Sequence, residues 1–282
     1  MPEKKVAVID GNSLMHRAFH AVPPTMNAPD GTPTNAVFGF IAMLLKFIDI
    51  SNPDAIVCAF DAGRPKFRTE ALEQYKAQRP PMDPGLKAQF PIIEELLESM
   101  SIPVVRVTGW EGDDILGTVA ARDEALGYRT LLVSGDKDVY QLCSELTHVV
   151  TTRKGITDVA IYGPGEVRER YGVEPSQFPD FLGLKGDSSD NIPGVPGVGD
   201  KTAAKLLAPT AASRAFTSIS TSCAANRRSA WRKTAMRRLP AARWRPSCAT
   251  WISPWTLRAR RFRRSARRPS PRLSQSIASM RT

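Results

Sequence analysis

Carboxylates recur where short apolar runs end. Asp10 closes the run Lys5–Ile9, and Asp61 closes Ala55–Phe60. Glu111, Asp113 and Asp114 follow Pro103–Val107, while Asp136 and Asp138 follow Thr130–Val133. If those runs are parallel strands, their carboxyl ends share one edge of a sheet, which is where such folds bind ligands. Carboxylates gathered there repel one another unless a cation neutralises them. Hard divalent cations such as Mg²⁺ prefer such oxygen ligands, completed by water or phosphate. Taken singly, each acid equally fits an Asp-Gly turn or a helix cap. Their joint placement points to a metal centre. Asp187 and Asp190 sit in Gly186-Asp187-Ser188-Ser189-Asp190-Asn191, and their role depends on the fold returning that loop to the cluster.

The elements that must position these acids alternate strand and helix patterns, predicting an α/β fold with a mostly parallel sheet covered by helices. A helix is predicted from Asn35, as its cap, through about Phe47, with Phe38, Ile41, Leu44 and Leu45 on one face. A charged helical stretch spans Lys66–Arg79 and ends at Pro80-Pro81. Helices follow at about Gly85–Met100 and Glu111–Leu126, then a short one at Lys137–Leu142. A small β region covers Val149–Ile161, and the rest to Leu207 reads as helical, broken at Ile192–Gly197.

Gly194-Val195-Pro196-Gly197-Val198-Gly199-Asp200-Lys201-Thr202 is not a Walker A loop, because Asp200 stands where Lys must follow Gly199. It suits a hairpin between helices, either offering backbone N–H groups to a phosphate or serving as a plain turn. His16, His20 and His148 read as structural or surface residues, and no Ser/His or Cys/His arrangement offers a protein nucleophile. Cys58, Cys143, Cys223 and Cys248 show neither metal-like nor disulfide-like spacing.

These segments resemble the 5′→3′ exonuclease domain of bacterial DNA polymerase I, in the flap-endonuclease superfamily. The resemblance rests on Ile9-Asp10-Gly11-Asn12-Ser13, Ala59-Phe60-Asp61, Phe67-Arg68, Tyr75-Lys76 with Arg79-Pro80, and Glu111-Gly112-Asp113-Asp114. It continues through Ser134-Gly135-Asp136-Lys137-Asp138, Gly186–Gly194 and the glycine hairpin to Lys201-Thr202, spanning residues 1–207. The resemblance implies a PIN-like nuclease domain over 1–163 with a helical arch at about 65–100, then a truncated helix-hairpin-helix region over 164–207. It also implies a two-metal phosphodiesterase using Mg²⁺, with Mn²⁺ as an alternative ion. Asp10, Asp61, Glu111, Asp113 and Asp114 would surround one ion; Asp136, Asp138, Asp187 and Asp190 would hold the other, partly through water. Arg68, Lys76 and Arg79 would contact phosphates, and Tyr75 would stack on a displaced base. The hairpin with Gly197, Gly199 and Lys201 would grip duplex backbone and could take K⁺.

Charge divides the chain. Residues 1–207 hold all 28 acids and 21 Lys and Arg, a net of −7; residues 208–282 hold 18 basic residues and no acid. Acids normally make up about an eighth of a globular chain. Four of the five tryptophans also lie in that tail. Its Arg, Ala, Ser and Pro richness is what a GC-rich gene yields in a wrong frame. Shifting the frame back one nucleotide over Thr210–Ala225 allows an acidic, amphipathic peptide. The expectation is a frame-shifted, disordered tail, the rival being a genuine basic nucleic-acid arm.

The longest apolar run, Ala36–Leu45, ends at Lys46 and is too short to span a bilayer. With no secretory pattern evident, the expectation is a cytoplasmic monomer with reduced thiols. The leading function is a metal-dependent 5′→3′ exonuclease and 5′-flap endonuclease of replication and repair, without a polymerase module. The alternatives are a PIN-type ribonuclease and an inactive product that binds DNA non-specifically through its tail.

Overall fold

The run Lys5–Asp10 (β1) carries β-branched residues on both faces, as a strand buried on both sides must. It pairs in parallel with Ala55–Ala59 (β2) on one side and Arg129–Val133 (β4) on the other. Val104–Val105 (β3) extends the sheet beyond β2, and Thr147–Thr152 (β5) extends it beyond β4. Val159–Tyr162 (β6) joins antiparallel at the edge, giving the order β3-β2-β1-β4-β5-β6. The computed structural model describes residues 4–208 apart from 64, 66, 67, 69, 71–74, 154 and 157. The expected charged helix over 66–79 lies largely outside the described residues, with 75–78 forming a turn. The tail from 209 lies wholly outside them.

Successive strand residues point to opposite faces, so the sheet divides its apolar side chains between two cores. Val6, Val8, Val57, Ala59 and Leu132 face Gly112–Ala125 (α5) and the aromatic group Tyr140, Phe178 and Phe181. Ala7, Ile9, Cys58, Leu131 and Val133 face Gly11–Ala21 (α1), Asn35–Ser51 (α2) and Phe90–Ser99 (α4). The expected layout, a mostly parallel sheet between helical layers, is the one found.

Several local expectations are corrected. Asn35 is the first residue of α2, not its cap, and its amide donates to the Phe19 and Val22 carbonyls. Gln89 Oε1 caps this helix instead, accepting from Ala36 and Val37 N–H at 2.8 and 3.1 Å. The buried face of α2 is Val37, Phe40, Met43, Leu44 and Phe47, whereas Phe38 and Leu45 are exposed. The single helix expected over Gly85–Met100 is two, Pro84–Lys87 (α3) and Phe90–Ser99 (α4). The break at Ala88-Gln89 frees Gln89 for its capping role. Ile93 and Leu97 of α4 are fully buried in the core on this face of the sheet. Lys137–Leu142 is a 3₁₀ helix.

Beyond β6 come Pro164–Tyr171 (α6), Phe178–Lys185 (α7) and Asp200–Leu207 (α8). The last two flank the glycine-rich hairpin and pack together, with Lys185 Nζ 3.1 Å from Asp200 Oδ1 across its mouth. No helix among the described residues is long and apolar enough to cross a membrane.

Candidate metal centre

Sheet register brings the acids together. Asp10 ends β1 beside Ala59 of β2, and Ile9 pairs with Val133 of β4, which sets Asp10 level with Ser134. Asp10 is also the N-cap of α1, its Oδ1 accepting from Ser13 N–H at 2.9 Å. Gly11 follows because any Cβ there would lie 2.4 Å from the Phe60 ring. Asp61 leaves the end of β2 exposed, held by Asn12 Oδ1, which accepts its N–H at 3.1 Å. Its own Oδ1 accepts Gly112 N–H at 2.7 Å, so Asp61 also caps the start of α5.

Asp136 follows β4 and caps the 3₁₀ helix, accepting Asp138 N–H at 2.9 Å. Asp187 and Asp190 come from the loop after α7, so the fold does return that loop to the cluster. One carboxylate oxygen each from Asp138, Asp187 and Asp190 lie within 4.8 Å of one another. The loop is shaped by close backbone crossing: a Cβ on Gly194 would sit 2.4 Å from the Lys185 carbonyl carbon. Gly186 has φ +87°, where glycine carries no steric penalty, and the Asp187–Ile192 bridge closes the turn.

The electrostatics report convergence. Burial pushes the Asp10 carboxyl up to about 6; the bonds from Ser13 and Ser134 oppose this, and the Asp61 charge adds to it. Asp136 rises to about 7 through burial and the neighbouring Asp138, with Asp190 and Asp10 adding repulsion. Asp113 is raised well above the ordinary range by burial, then by Asp136 and Asp10. Burial is the largest cause in each case, and the mutual repulsion added to it is what an acidic cluster produces. Oxygen donors only, several of them charged and three within reach of one ion, suit a hard divalent cation.

The expected first set of ligands divides into two groups. Glu111 and Asp114 are turned towards protein cations. The buried Arg68 guanidinium pairs with Glu111 through Nη1 and with Asp114 Oδ1 through Nη2 at 2.8 Å. Lys76 Nζ lies 3.0 Å from Glu111 Oε1, and the Tyr75 hydroxyl donates to Glu111 Oε2 at 3.0 Å. Asp114 Oδ2 also accepts Glu111 N–H at 3.1 Å, closing a capping box. Arg68, Tyr75 and Lys76 were expected to face DNA; in this conformation all three are buried counter-groups of the acids. Arg79 stays partly exposed, bonding the Ser189 carbonyl at 3.2 Å and Asp190 Oδ1 at 3.1 Å. Gly197, Gly199 and Lys201 lie in and just after the hairpin, Gly197 at φ +78° and Lys201 exposed.

Sequence reasoning gave no role to Ser13, Ser134 or Asn12, whose bonds orient Asp10 and Asp61. The available signal was their position, each beside an acid at a strand end.

A family model for the 5′-3′ exonuclease N-terminal resolvase-like domain matches residues 5–172. A model for the 5′-3′ exonuclease C-terminal SAM fold matches residues 173–230, past the Leu207 boundary expected from the sequence. DNA polymerase I of Bacillus caldotenax is 49% identical over 205 residues, which cover 73% of this chain and 23% of the polymerase. That of Mycobacterium tuberculosis is 44% identical over 202 residues, covering 71% of this chain and 22% of the polymerase. The chain thus spans less than a quarter of the length of these curated relatives. Among solved structures, a bacteriophage T5 flap endonuclease in a pseudo-enzyme-product complex with DNA and metal ions superposes with a TM-score of 0.63. The match is 18% identical and covers 94% of this chain and 100% of that one. T5 5′-exonuclease with zinc bound gives a TM-score of 0.57 at 22% identity, covering 72% of this chain and 74% of that one. These two likenesses establish the fold. The two matched models, together spanning residues 5–230, establish descent: the chain belongs to the 5′-3′ exonuclease family.

Proposed function

We propose that this chain is a divalent-metal-dependent phosphodiesterase that degrades DNA from 5′ ends and cuts 5′ flaps, with Mg²⁺ as the working ion. The observation that carries this reading is the convergence of carboxylates from four strand ends and one loop, three of them within 4.8 Å. Asp10, Asp61, Asp113 and Asp136 would hold one cation, and Asp138, Asp187 and Asp190 a second. When bound, such a pair supplies a water of lowered pKa and neutralises charge on the scissile phosphate and its leaving oxygen.

The remaining work belongs to the chain itself. Arg68 pairs with both Glu111 and Asp114, and Lys76 pairs with Glu111, so these two acids already have protein counter-charges. Arg79, partly exposed beside Asp190, would meet a phosphate, and exposed Lys201 at the hairpin would meet duplex backbone. No polymerase activity is proposed for this chain.

The test is a substrate comparison. The purified chain is given a 5′-labelled flap duplex and an RNA of the same sequence, with Mg²⁺ and with EDTA. Mg²⁺-dependent cutting near the flap junction, with the RNA spared, supports the proposal. Preferential RNA cleavage would move the assignment to a ribonuclease, and binding without cleavage of either would leave an inactive DNA-binding product.

A further inference from the structure

Where β1 meets α1 and β4 meets the 3₁₀ helix, four hydrogen bonds tie five residues together. Ser134 Oγ donates to Asp10 Oδ2 at 2.7 Å and accepts Asp136 N–H at 3.0 Å. Ser13 N–H donates to Asp10 Oδ1 at 2.9 Å, while Ser13 Oγ accepts Gly135 N–H at 2.8 Å. The approach is close: a Cβ at 135 would lie 3.0 Å from Ser13 Oγ, so any side chain there would press on that hydroxyl. Ser134 is 1% exposed, so water does not compete for these bonds.

A serine hydroxyl has one proton and two lone pairs. The Asp136 amide can only donate, so it occupies a lone pair and leaves the hydroxyl proton directed at Asp10. The same oxygen therefore orients the Asp10 carboxylate and the turn that presents Asp136 and Asp138. These acids come from two strands, adjacent in space but more than a hundred residues apart in sequence. We infer that Ser134 is a positioning residue for divalent-cation binding, fixing Asp10 and the Asp136 turn in one mutual geometry.

This inference rests on the metal-centre reading above, and its test separates the two. Outer groups that orient ligands typically contribute tenfold to a hundredfold in metal affinity. Mn²⁺ binding to the metal-free protein, without DNA, is measured by calorimetry for wild type, Ser134→Ala, Ser134→Thr and Asp10→Asn. The expected result is about tenfold weaker Mn²⁺ binding in Ser134→Ala. Recovery in Ser134→Thr, which keeps the hydroxyl, and a thermal midpoint close to wild type in the absence of metal complete the expected pattern. Flap cleavage by Ser134→Ala should lose kcat with KM for DNA unchanged, which general loosening of the fold would not produce. Should Ser134→Ala fail to fold, Ser134→Cys keeps the volume with a weaker donor and should show the same loss. Mn²⁺ affinity within twofold of wild type in folded Ser134→Ala or Ser134→Cys, with Asp10→Asn weakened, overturns the role of Ser134 alone. No Mn²⁺ binding by wild type, or binding indifferent to Asp10→Asn, overturns the metal-centre reading and this inference with it.

Discussion

Arg68 is buried against Asp114, its Nη2 2.8 Å from the Asp114 Oδ1, and the same guanidinium also engages Glu111. Removing one partner of a buried ion pair leaves an uncompensated charge in a poorly solvated site, typically at a cost of about 3–5 kcal/mol. Arg68→Met should therefore destabilise the metal-free protein by about 3 kcal/mol. Denaturant titration of the two proteins measures this, and unchanged stability would show that the pair is not formed in solution.

The loop carrying Asp187 and Asp190 depends on glycine at 194, where a Cβ would strike the backbone of Lys185. Gly194→Ala should cost about 1–3 kcal/mol through forced displacement. Mn²⁺ affinity should fall with it, because the displaced loop takes Asp187 and Asp190 away from Asp138. A circular dichroism spectrum like wild type's, together with weakened Mn²⁺ binding, is the expected pair of results. Wild-type affinity would mean that the loop does not contribute ligands.

Away from the metal centre, Asp123 is 1% exposed on α5 and accepts a bond from Thr130 Oγ1 at 3.1 Å. Burial lifts its carboxyl from 3.8 to about 6, against the opposing Thr130 bond. A raised folded pKa means the folded state holds the proton more tightly than the unfolded chain. The resulting penalty is absent below pH 4, grows between pH 4 and 6, and is complete above pH 6. Relative to wild type, Asp123→Asn should thus be more stable at pH 8 than at pH 4, with a difference of order 2 kcal/mol between the two conditions. Thermal melts across this range check it, and a pH-independent difference would contradict it.

At the hairpin, Lys201 is exposed at the start of α8. If it meets a phosphate, Lys201→Ala should weaken duplex binding alike for all sequences. It should also reduce the slope of log K against log salt by about 1. An unchanged slope would place the duplex elsewhere.

Much of this was legible in the sequence because three apolar runs announce β1, β2 and β4, and an Asp closes or soon follows each. Asp10, Asp61 and Asp136 could be placed on one edge from that alternation alone. Other features were not legible. Arg68, Tyr75 and Lys76 read as a solvated or DNA-facing stretch, since charge in a sequence does not say whether a partner waits inside. Asp114 reads equally as a cap and as a ligand, because capping and coordination ask for the same side chain, and the sequence does not announce its pairing with Arg68. The α2 helix carries apolar residues on nearly every side, so its period did not distinguish Val37 and Phe40 from exposed Phe38 and Leu45. The cap of that helix came from Gln89, 53 residues from Ala36, a contact that only the tertiary fold creates.

The central claim is that the gathered carboxylates make a metal-dependent nuclease, and Asp113 tests it most directly because it is half-buried, with Asp136, Asp10 and Asp138 raising its pKa against Lys76. The measurement is the rate of 5′-flap cleavage by wild type and Asp113→Asn, with Mg²⁺ and with EDTA. The account predicts cleavage by wild type with Mg²⁺ alone, and a fall of at least about a hundredfold in the variant at unchanged fold. Cleavage that persists in EDTA, or a variant as fast as wild type, would contradict it.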